Sequence, residues 1–212
     1  MNIVVEASIG VGKSTLLKNV TEILKKDYKL DVICVPEPIK KWTETPVGDI
    51  LRLFASEPKR YAFLTQVLIM TTLNEQRKHL PKATVTIFER SIDSAKDIFQ
   101  KTLEQDGILS SIESHTLQEL NSTLQSTKPK ADAIIYLQAE PELAFERSRI
   151  RAREGEKPLT IDYFKKLHTN YENMIEFTKI EVLKLDAKLN PLQLAAQAAD
   201  WINNKVATKK NK

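Results

Sequence analysis

A short run of small residues directly after the first apolar segment constrains the fold of this chain more than any other feature. It reads Ala7-Ser8-Ile9-Gly10-Val11-Gly12-Lys13-Ser14-Thr15, between a predicted strand at 3–6 and a predicted helix at 13–26. Small residues let successive backbone N–H groups wrap phosphate oxygens, and the helix N-terminus adds a positive end. In such loops the lysine reaches the β- and γ-phosphates and the next hydroxyl binds magnesium. The run therefore predicts a loop that binds nucleotide phosphates.

Glycine usage strengthens this interpretation. The chain has 5 glycines in 212 residues, and two of them, Gly10 and Gly12, fall in the loop. Average usage of roughly 7% would give about fifteen. Ala7 replaces the usual first glycine, and alanine fits there only if residue 7 does not need a positive φ.

Composition excludes several classes of protein. Hydrophobic residues make up 42% and charged residues 28%, which is typical of a globular domain rather than a disordered chain. No apolar run approaches the roughly 18 residues of a membrane span, so we expect no membrane partner. One cysteine, Cys34, excludes an intrachain disulfide. A strand pattern directly after Met1 leaves no room for a signal or transit peptide, so we expect a cytoplasmic protein.

Apolar runs alternate with helical patterns along the chain. Short runs typical of buried parallel strands lie at 3–6, 32–35, 85–88, 134–137 and 182–185. Helical patterns lie at 13–26, 59–80, 117–124, 141–153, 161–178 and 191–203. The alternation predicts one α/β domain over 1–203, followed by a basic, disordered tail at 204–212. Such sheets bind ligands at the carboxyl ends of their strands.

Acidic residues follow two of these predicted strands. Glu37 lies between Pro36 and Pro38, which restrain its backbone, and it could accept a hydroxyl proton opposite the γ-phosphate. A solvated turn glutamate is the alternative. Glu89 and Arg90 follow the third strand. They form either a structural ion pair or a metal-supporting carboxylate beside a substrate-binding arginine.

Arginines are concentrated in one later segment, at Arg147, Arg149, Arg151 and Arg153. On a helix Arg147 and Arg151 share one face, with the other two nearly opposite. A solvated charged face is one interpretation. A lid that closes guanidinium groups on a transferring phosphate is the other. No aromatic residues interleave with the arginines, which disfavours a nucleic-acid patch.

An amide interrupts the apolar helix predicted at 59–80. Gln66 shares a face with Ala62, Ile69 and Leu73. A buried amide needs hydrogen-bond partners. These are either another side chain or the edge of a nucleobase, since an amide offers a donor beside an acceptor.

Taken together, these segments resemble the deoxyribonucleoside kinase family. The motifs that carry the resemblance are the loop at 6–15, Glu37-Pro38 with Trp42, Phe63-Leu64-Thr65-Gln66, Glu89-Arg90-Ser91, and 134–139 leading into the arginines and Leu167-His168. The resemblance implies a P-loop kinase fold: a five-stranded parallel sheet, helices on both faces and an arginine-rich lid. It also implies a homodimer that transfers the γ-phosphate of ATP to the 5′-hydroxyl of a deoxyribonucleoside in nucleotide salvage, with Mg²⁺ as cofactor.

The resemblance implies roles for single residues. Lys13 and Ser14 would hold phosphates and Mg²⁺, with Glu89 supporting the metal. Glu37 would be the base at the 5′-hydroxyl, with Arg90 beside that oxygen. The lid arginines would be Arg151 and Arg153, and Glu156 would approach the sugar 3′-hydroxyl. Further nucleoside contacts would be Trp42, Gln66, Ile69, Leu73, Ala95 and Phe99.

Some positions depart from the pattern of the family. Ala55 stands where a tyrosine usually contacts the 3′-hydroxyl, and Thr65 stands where a phenylalanine usually precedes the glutamine. Leu73 and Ala95 occupy positions where relatives that prefer deoxycytidine have an arginine and an aspartate. Two uncharged residues there favour thymidine and other pyrimidines over purines.

Two other functions remain open at this point. A thymidylate-type nucleoside monophosphate kinase shares the loop and the arginine lid, but it needs basic groups to hold the acceptor's phosphate. The acidic Glu37 argues for an uncharged nucleoside. A non-catalytic nucleotide-binding module needs no acid aimed at an acceptor. Two carboxylates at strand ends, Glu37 and Glu89, therefore favour an enzyme.

Overall fold

A five-stranded parallel sheet forms the centre of the computed structural model, which describes residues 1–125 and 130–210. The strands are β1 Asn2–Glu6, β2 Val32–Val35, β3 Val85–Glu89, β4 Ala133–Gln138 and β5 Glu181–Asp186. Their spatial order is β2-β3-β1-β4-β5, and each neighbouring pair is parallel. The predicted α/β fold is confirmed, and every predicted strand lies within an observed one. The loop after β1 therefore opens at the ligand-binding edge of the sheet.

Helices surround this sheet. They are α1 Lys13–Lys26, α2 Lys40–Thr43, α3 Ile50–Ser56, α4 Pro58–Arg77, α5 Ile92–Ser94, α6 Lys101–Gln105, α7 Ser111–Gln125, α8 Pro141–Arg151, α9 Ile161–Phe177 and α10 Pro191–Lys210. A π-helical segment, Ala95–Gln100, joins α5 to α6, and a 3₁₀ turn, Glu154–Glu156, follows α8. None of the helices in the described residues has the length and hydropathy that crossing a membrane requires.

Several predicted helix boundaries are wrong for local reasons. Helix α4 ends at Arg77 rather than at 80, because His79 has a left-handed backbone with φ +58°. Helix α8 ends at Arg151 rather than at 153, because Ala152 is left-handed with φ +53°. Helix α7 begins six residues earlier than predicted, at Ser111. Helices α2 and α3 were missed, since elements of 4 and 7 residues are too short to show a helical period.

The prediction of a disordered tail at 204–212 is wrong for residues 204–210, which continue α10. Val206 extends the buried stripe of this helix and is 6% exposed. Lys205 forms an ion pair with Glu181, and Lys209 Nζ donates to Asp132 Oδ1 at 2.6 Å. Burial and pairing at one-turn spacing therefore hold the end of the helix. Residues 211–212 lie outside the described part of the chain.

Two apolar clusters matter for the placement of the site. The main core lies between the sheet, α1 and α10, and it includes Leu17, Leu24 and Ile202. A second cluster lies beneath α4 and α7 and includes Trp42 and Leu117. Burial of apolar side chains contributes roughly 1.5–3 kcal/mol each. The first cluster fixes the loop after β1, and the second fixes α4 beside that loop.

Candidate active site

The loop between β1 and α1 has a backbone that requires glycine. Gly10 has φ +80° and Gly12 has φ +111°. A Cβ atom on Gly10 would lie 2.6 Å from the carbonyl oxygen of Ala144 and 2.9 Å from the backbone nitrogen of Ser148, both in α8. Ala7 is absent from the positive-φ residues of the described chain. Alanine therefore fits at position 7, whereas only glycine fits at position 10.

Lys13 lies inside this loop with a side chain that is largely buried. Its Nζ donates to the carbonyl oxygens of Ala7 at 3.2 Å and Ser8 at 3.0 Å. Burial and the nearby Arg90 lower the pKa of Lys13 to about 8, against the opposing influence of Glu37 and other carboxylates. The ammonium group is thus shielded from water and offers its charge to an anion.

A cleft of about 520 Å³ opens over the loop. The predicted phosphate-binding residues along its wall are Ile9, Gly10, Gly12, Lys13, Ser14 and Thr15. Ser8 and Val11 do not line it, and both are buried. The structure therefore brings six of the eight predicted residues to one cleft.

A hydroxyl group and a carboxylate group meet at the edge of the cleft. Ser14 Oγ donates to Glu89 Oε1 at 2.8 Å, and the backbone N–H of Glu37 donates to Glu89 Oε2 at 3.2 Å. Mg²⁺ prefers oxygen ligands and usually takes only one or two from the protein, completing its shell with phosphates and water. Within the described residues there is no cluster of three or more His, Cys, Asp or Glu suited to a metal. Ser14 and Glu89 nevertheless fit Mg²⁺ held mainly by phosphates.

Glu37 and Arg90 form a buried ion pair where β2 and β3 end. Arg90 Nε donates to Glu37 Oε1, and the two side chains are 6% and 12% exposed for Arg90 and Glu37 respectively. Burial alone would raise the pKa of Glu37, but Arg90 and Lys13 outweigh it and hold that pKa below its ordinary value. Glu37 is therefore ionised at neutral pH and able to accept a proton.

Arg90 is held in an unusual backbone conformation, with φ +65°. Non-glycine residues rarely adopt it, and it concentrates at functional sites. Arg77 Nη2 donates to the carbonyl oxygen of Arg90 at 2.5 Å. Arg90 Nη1 donates to the hydroxyl of Tyr171, and the guanidinium lies 4.5 Å from the ring centroid of Phe99. The backbone and side chain of Arg90 are thus both restrained.

Sequence reasoning missed these supporting residues. Arg77 continues the spacing of the buried Gln66 and Leu73, so an arginine on a buried helix face was an available signal. Tyr171 carried no such signal. Its hydroxyl lies 3.5 Å from Glu6 Oε2, and burial raises the pKa of Glu6. These contacts join distant segments of the chain.

Three of the four arginines in the arginine-rich segment line the cleft, and the fourth bonds to the backbone. Arg147, Arg151 and Arg153 all line the cleft. The predicted shared face of Arg147 and Arg151 is therefore confirmed. Arg153 is predicted on the opposite face, but α8 ends at Arg151, so helical spacing does not apply to Arg153. Arg149 instead donates to backbone carbonyls of the segment after the helix, at Lys157 and Leu159.

Glu156 holds the arginines over the cleft. Both Arg151 and Arg153 form ion pairs with its Oε1, the latter at 3.3 Å. A Cβ atom on Gly155 would lie 2.9 Å from the Cβ of Leu51 in α3. The 3₁₀ turn Glu154–Glu156 therefore packs against α3 without room for a larger residue at position 155.

A smaller cavity of about 120 Å³ adjoins the cleft. Its predicted lining residues are Glu37, Trp42, Gln66, Ile69, Arg90, Ala95, Phe99 and Glu156, all of which are present. Leu73, also predicted there, does not line the cavity. Four residues of α4 carry Leu73 about 6 Å beyond Ile69 along the helix axis, and there it is 1% exposed and packs within the second apolar cluster.

Further residues line this cavity that were not predicted as nucleoside contacts. They are Ile9, Ile39, Leu51, Phe54, Thr65, Arg153, Gly155, Leu159 and Tyr163. Ala55 is not among the lining residues, although its neighbour Phe54 is. Short helix α3 brings Phe54 into place, and no periodic pattern marked that helix. Most of these side chains are apolar, as is usual for a small-molecule site.

A third space, of about 330 Å³, continues from the cleft on the other side of the loop. Gly10, Gly12, Thr15 and Arg147 line both spaces. Apolar residues from the segment between β5 and α10 form the far wall, among them Leu189. A ligand longer than a phosphate group therefore has room on both sides of the loop.

Comparisons with known proteins agree with this geometry. Residues 3–210 match the family model described as deoxynucleoside kinase. The chain is 33% identical to mitochondrial deoxyguanosine kinase of Xenopus laevis, over 96% of this chain and 83% of that protein. It is 28% identical to human mitochondrial thymidine kinase 2, over 82% and 63%. It is 27% identical to human deoxycytidine kinase, over 81% and 74%.

Proposed function

The chain belongs to the deoxynucleoside kinase family of ATP-dependent phosphotransferases, and we propose that it phosphorylates the 5′-hydroxyl of thymidine and other pyrimidine deoxyribonucleosides. One observation carries the proposal. The ion pair of Glu37 and Arg90 lines both the phosphate cleft and the smaller cavity. A nucleoside in the smaller cavity would thus present its hydroxyl to a carboxylate that also faces the phosphates.

Glu37 acts as the general base in this proposal. It accepts the hydroxyl proton as the nucleoside oxygen bonds to the γ-phosphorus and the bond from that phosphorus to the bridging oxygen breaks, which releases ADP; Arg90 holds the carboxylate in place. Phosphoryl transfer depends mainly on positioning and on stabilising charge. Lys13, Arg151 and Arg153 supply positive charge around the cleft. Residues 3–210 would work as a single kinase domain.

Mg²⁺ is the proposed cofactor. Ser14 and Glu89 would hold it, and the ion would neutralise charge on the phosphates. ATP is the donor, and its phosphates belong on the loop. The third space, lined by Gly12, Arg147 and Leu189, suits the purine and ribose of ATP because it continues directly from the loop and has an apolar far wall.

The preference for pyrimidines rests on the shape and chemistry of the small cavity. Gln66 can pair with thymine or cytosine by rotating its amide. Ala95 is small and uncharged, which leaves room for the thymine methyl group. Leu73 does not line the cavity and has no part in this preference.

The test is a panel of four deoxynucleosides and their monophosphates, each supplied with ATP and Mg²⁺. We expect kcat/KM to be highest for thymidine, then deoxycytidine, with both purines lower. The Xenopus relative is named for deoxyguanosine, so the panel directly compares pyrimidine acceptors with purine acceptors. A preference for purines would overturn the assignment of pyrimidine substrates. Turnover of monophosphates alone would overturn the assignment of a nucleoside as the phosphate acceptor.

Assembly and location complete the proposal. The homodimer rests on the family resemblance, and light scattering should give twice the mass of the monomer. The cytoplasmic location stays a prediction, because the Xenopus protein and thymidine kinase 2 are named as mitochondrial. Fractionation of cells that express the full chain would decide between the two compartments.

A further inference from the structure

The threonines of α4 differ in how their hydroxyl groups are used. Thr71 Oγ1 donates to the carbonyl oxygen of Val67 at 2.7 Å, and Thr72 Oγ1 donates to that of Leu68 at 2.6 Å. Bonds of this kind to the preceding turn are the usual solution for threonine inside a helix. Thr65 Oγ1 has no hydrogen-bond partner among the described residues, although Thr65 is only 2% exposed. A buried hydroxyl without a partner is costly.

Thr65 lines the same small cavity as its neighbour Gln66. Gln66 Oε1 likewise finds no partner within the described chain, and Gln66 is 4% exposed. Ile69, Ala95 and Phe99 are apolar residues of the same lining. Two adjacent side chains that line a largely apolar space thus carry buried oxygen atoms without a partner in the described protein.

We propose that the Thr65 hydroxyl bonds directly to the nucleobase beside Gln66 and helps to determine which base is accepted. The inference rests on the proposed kinase function and adds a second base-reading residue to it. A hydroxyl donates one hydrogen bond and accepts two, so it can bond to a carbonyl or to an amino group of a base. Thr65 is therefore compatible with several bases that carry a polar group in the right position.

The edges of the bases give this residue its selectivity. Thymine, cytosine and guanine each carry three polar groups on the pairing edge, whereas adenine carries two and a C–H. The Gln66 amide can engage two neighbouring groups. Thr65 would engage the third, so adenine cannot satisfy both residues together. An unpaired polar group in a buried site is what makes such a site reject the wrong ligand.

Thr65→Val tests the proposal because valine has nearly the same shape without the hydroxyl. We expect kcat/KM for thymidine to fall about tenfold, mainly through KM, since one hydrogen bond in a buried site is lost. The preference for thymidine over deoxyadenosine should fall as well. Thr65→Ser keeps the hydroxyl and should retain kcat/KM within about threefold. Unchanged kcat/KM and unchanged selectivity in Thr65→Val would overturn the proposal.

Thr71→Val is the matched control on the same helix. In the unmodified protein the Thr71 hydroxyl bonds to the backbone of its own helix, and Thr71 does not line the cavity. Its kcat/KM should stay within about twofold of the unmodified protein. The melting temperature of Thr65→Val without nucleoside should stay the same or rise, because a hydroxyl without a protein partner is removed. A lower melting temperature would instead indicate a structural role and count against the proposal.

Thymidine binding by calorimetry separates this inference from the proposed function. If the unmodified protein phosphorylates no deoxynucleoside, the kinase proposal fails, and weaker binding by Thr65→Val would still support the base contact. If the unmodified protein phosphorylates thymidine and Thr65→Val binds it equally well, only the inference about Thr65 fails.

Discussion

Ser14 Oγ donates a 2.8 Å hydrogen bond to Oε1 of Glu89, which joins the first turn of α1 to the carboxyl end of β3. The other oxygen of the same carboxylate accepts the backbone N–H of Glu37 at 3.2 Å. Three segments that are far apart in the chain therefore share one carboxylate. This arrangement places the proposed metal-binding groups directly beside the proposed base.

Ser14→Ala should weaken the response to Mg²⁺. Removing the oxygen proposed to hold the metal should raise the Mg²⁺ concentration needed for half-maximal rate by about 10- to 100-fold, the range for groups that support a metal. Titration of activity with Mg²⁺ measures this half-maximal concentration. Ser56→Ala is the control, because Ser56 is exposed and its hydroxyl bonds to the carbonyl of Leu53. An identical Mg²⁺ response in Ser14→Ala would remove Ser14 from the metal site.

Glu37→Gln should lower kcat by at least about 10²-fold, since the amide cannot accept the hydroxyl proton. KM for the nucleoside should change much less, because the amide still forms hydrogen bonds. Steady-state kinetics with thymidine and ATP give both values. Glu75→Gln is the matched control, as Glu75 pairs with Lys78 on the surface. An unchanged kcat would exclude Glu37 as the base.

Arg77→Met should destabilise the protein and slow the reaction. The carbonyl oxygen of Arg90 would lose its partner, at a cost of about 1–3 kcal/mol in the free energy of unfolding. Because Arg90 has a strained backbone, kcat should fall more than KM rises. Denaturant unfolding and kinetics measure the two effects. Arg60→Met, on the exposed side of the same helix, should leave both nearly unchanged. Equal behaviour of the two variants would contradict the proposed support.

Gly10→Ala should be far more damaging than Gly107→Ala. Both glycines have positive φ, at +80° and +62°. Only at Gly10 does the added Cβ meet backbone atoms of α8, whereas no described atom lies within 4 Å of it at Gly107. Gly107→Ala should cost about 1–2 kcal/mol of stability from strain alone. Gly10→Ala should exceed that cost and weaken ATP binding, as measured by thermal unfolding with and without ATP.

Asp132→Asn should loosen the end of α10. Burial alone would raise the pKa of Asp132, but Lys209 and the backbone N–H of Asn2 hold it below its ordinary value. The stabilisation is therefore present above about pH 3.9 and is lost as pH falls through the lower pKa of the folded state. Hydrogen exchange at residues 204–210 should accelerate in Asp132→Asn at neutral pH. Unchanged exchange would show that Val206 and the Lys205–Glu181 ion pair are enough to anchor the end of the helix.

The sequence alone was enough to predict the sheet and the loop. Parallel strands buried on both faces have a continuous apolar pattern, so all five predicted strands fall within observed ones. The loop from Ala7 to Thr15 is equally local, since its chemistry depends on neighbouring small residues and on one lysine. Glu37 and Glu89 could be placed at the sheet edge because each lies within two residues of the end of a predicted strand. All of these features depend on short stretches of chain.

Only the tertiary structure determined the rest of the site. Leu73 and Thr65 lie on the same helix, yet Leu73 packs in the core and Thr65 lines the cavity. Which of them faces a ligand depends on how α4 packs against its neighbours. The contacts of Arg77 with Arg90 and of Lys209 with Asp132 join residues 13 and 77 positions apart. Such contacts form because packing brings distant segments together, and spacing along the chain carries no record of that packing.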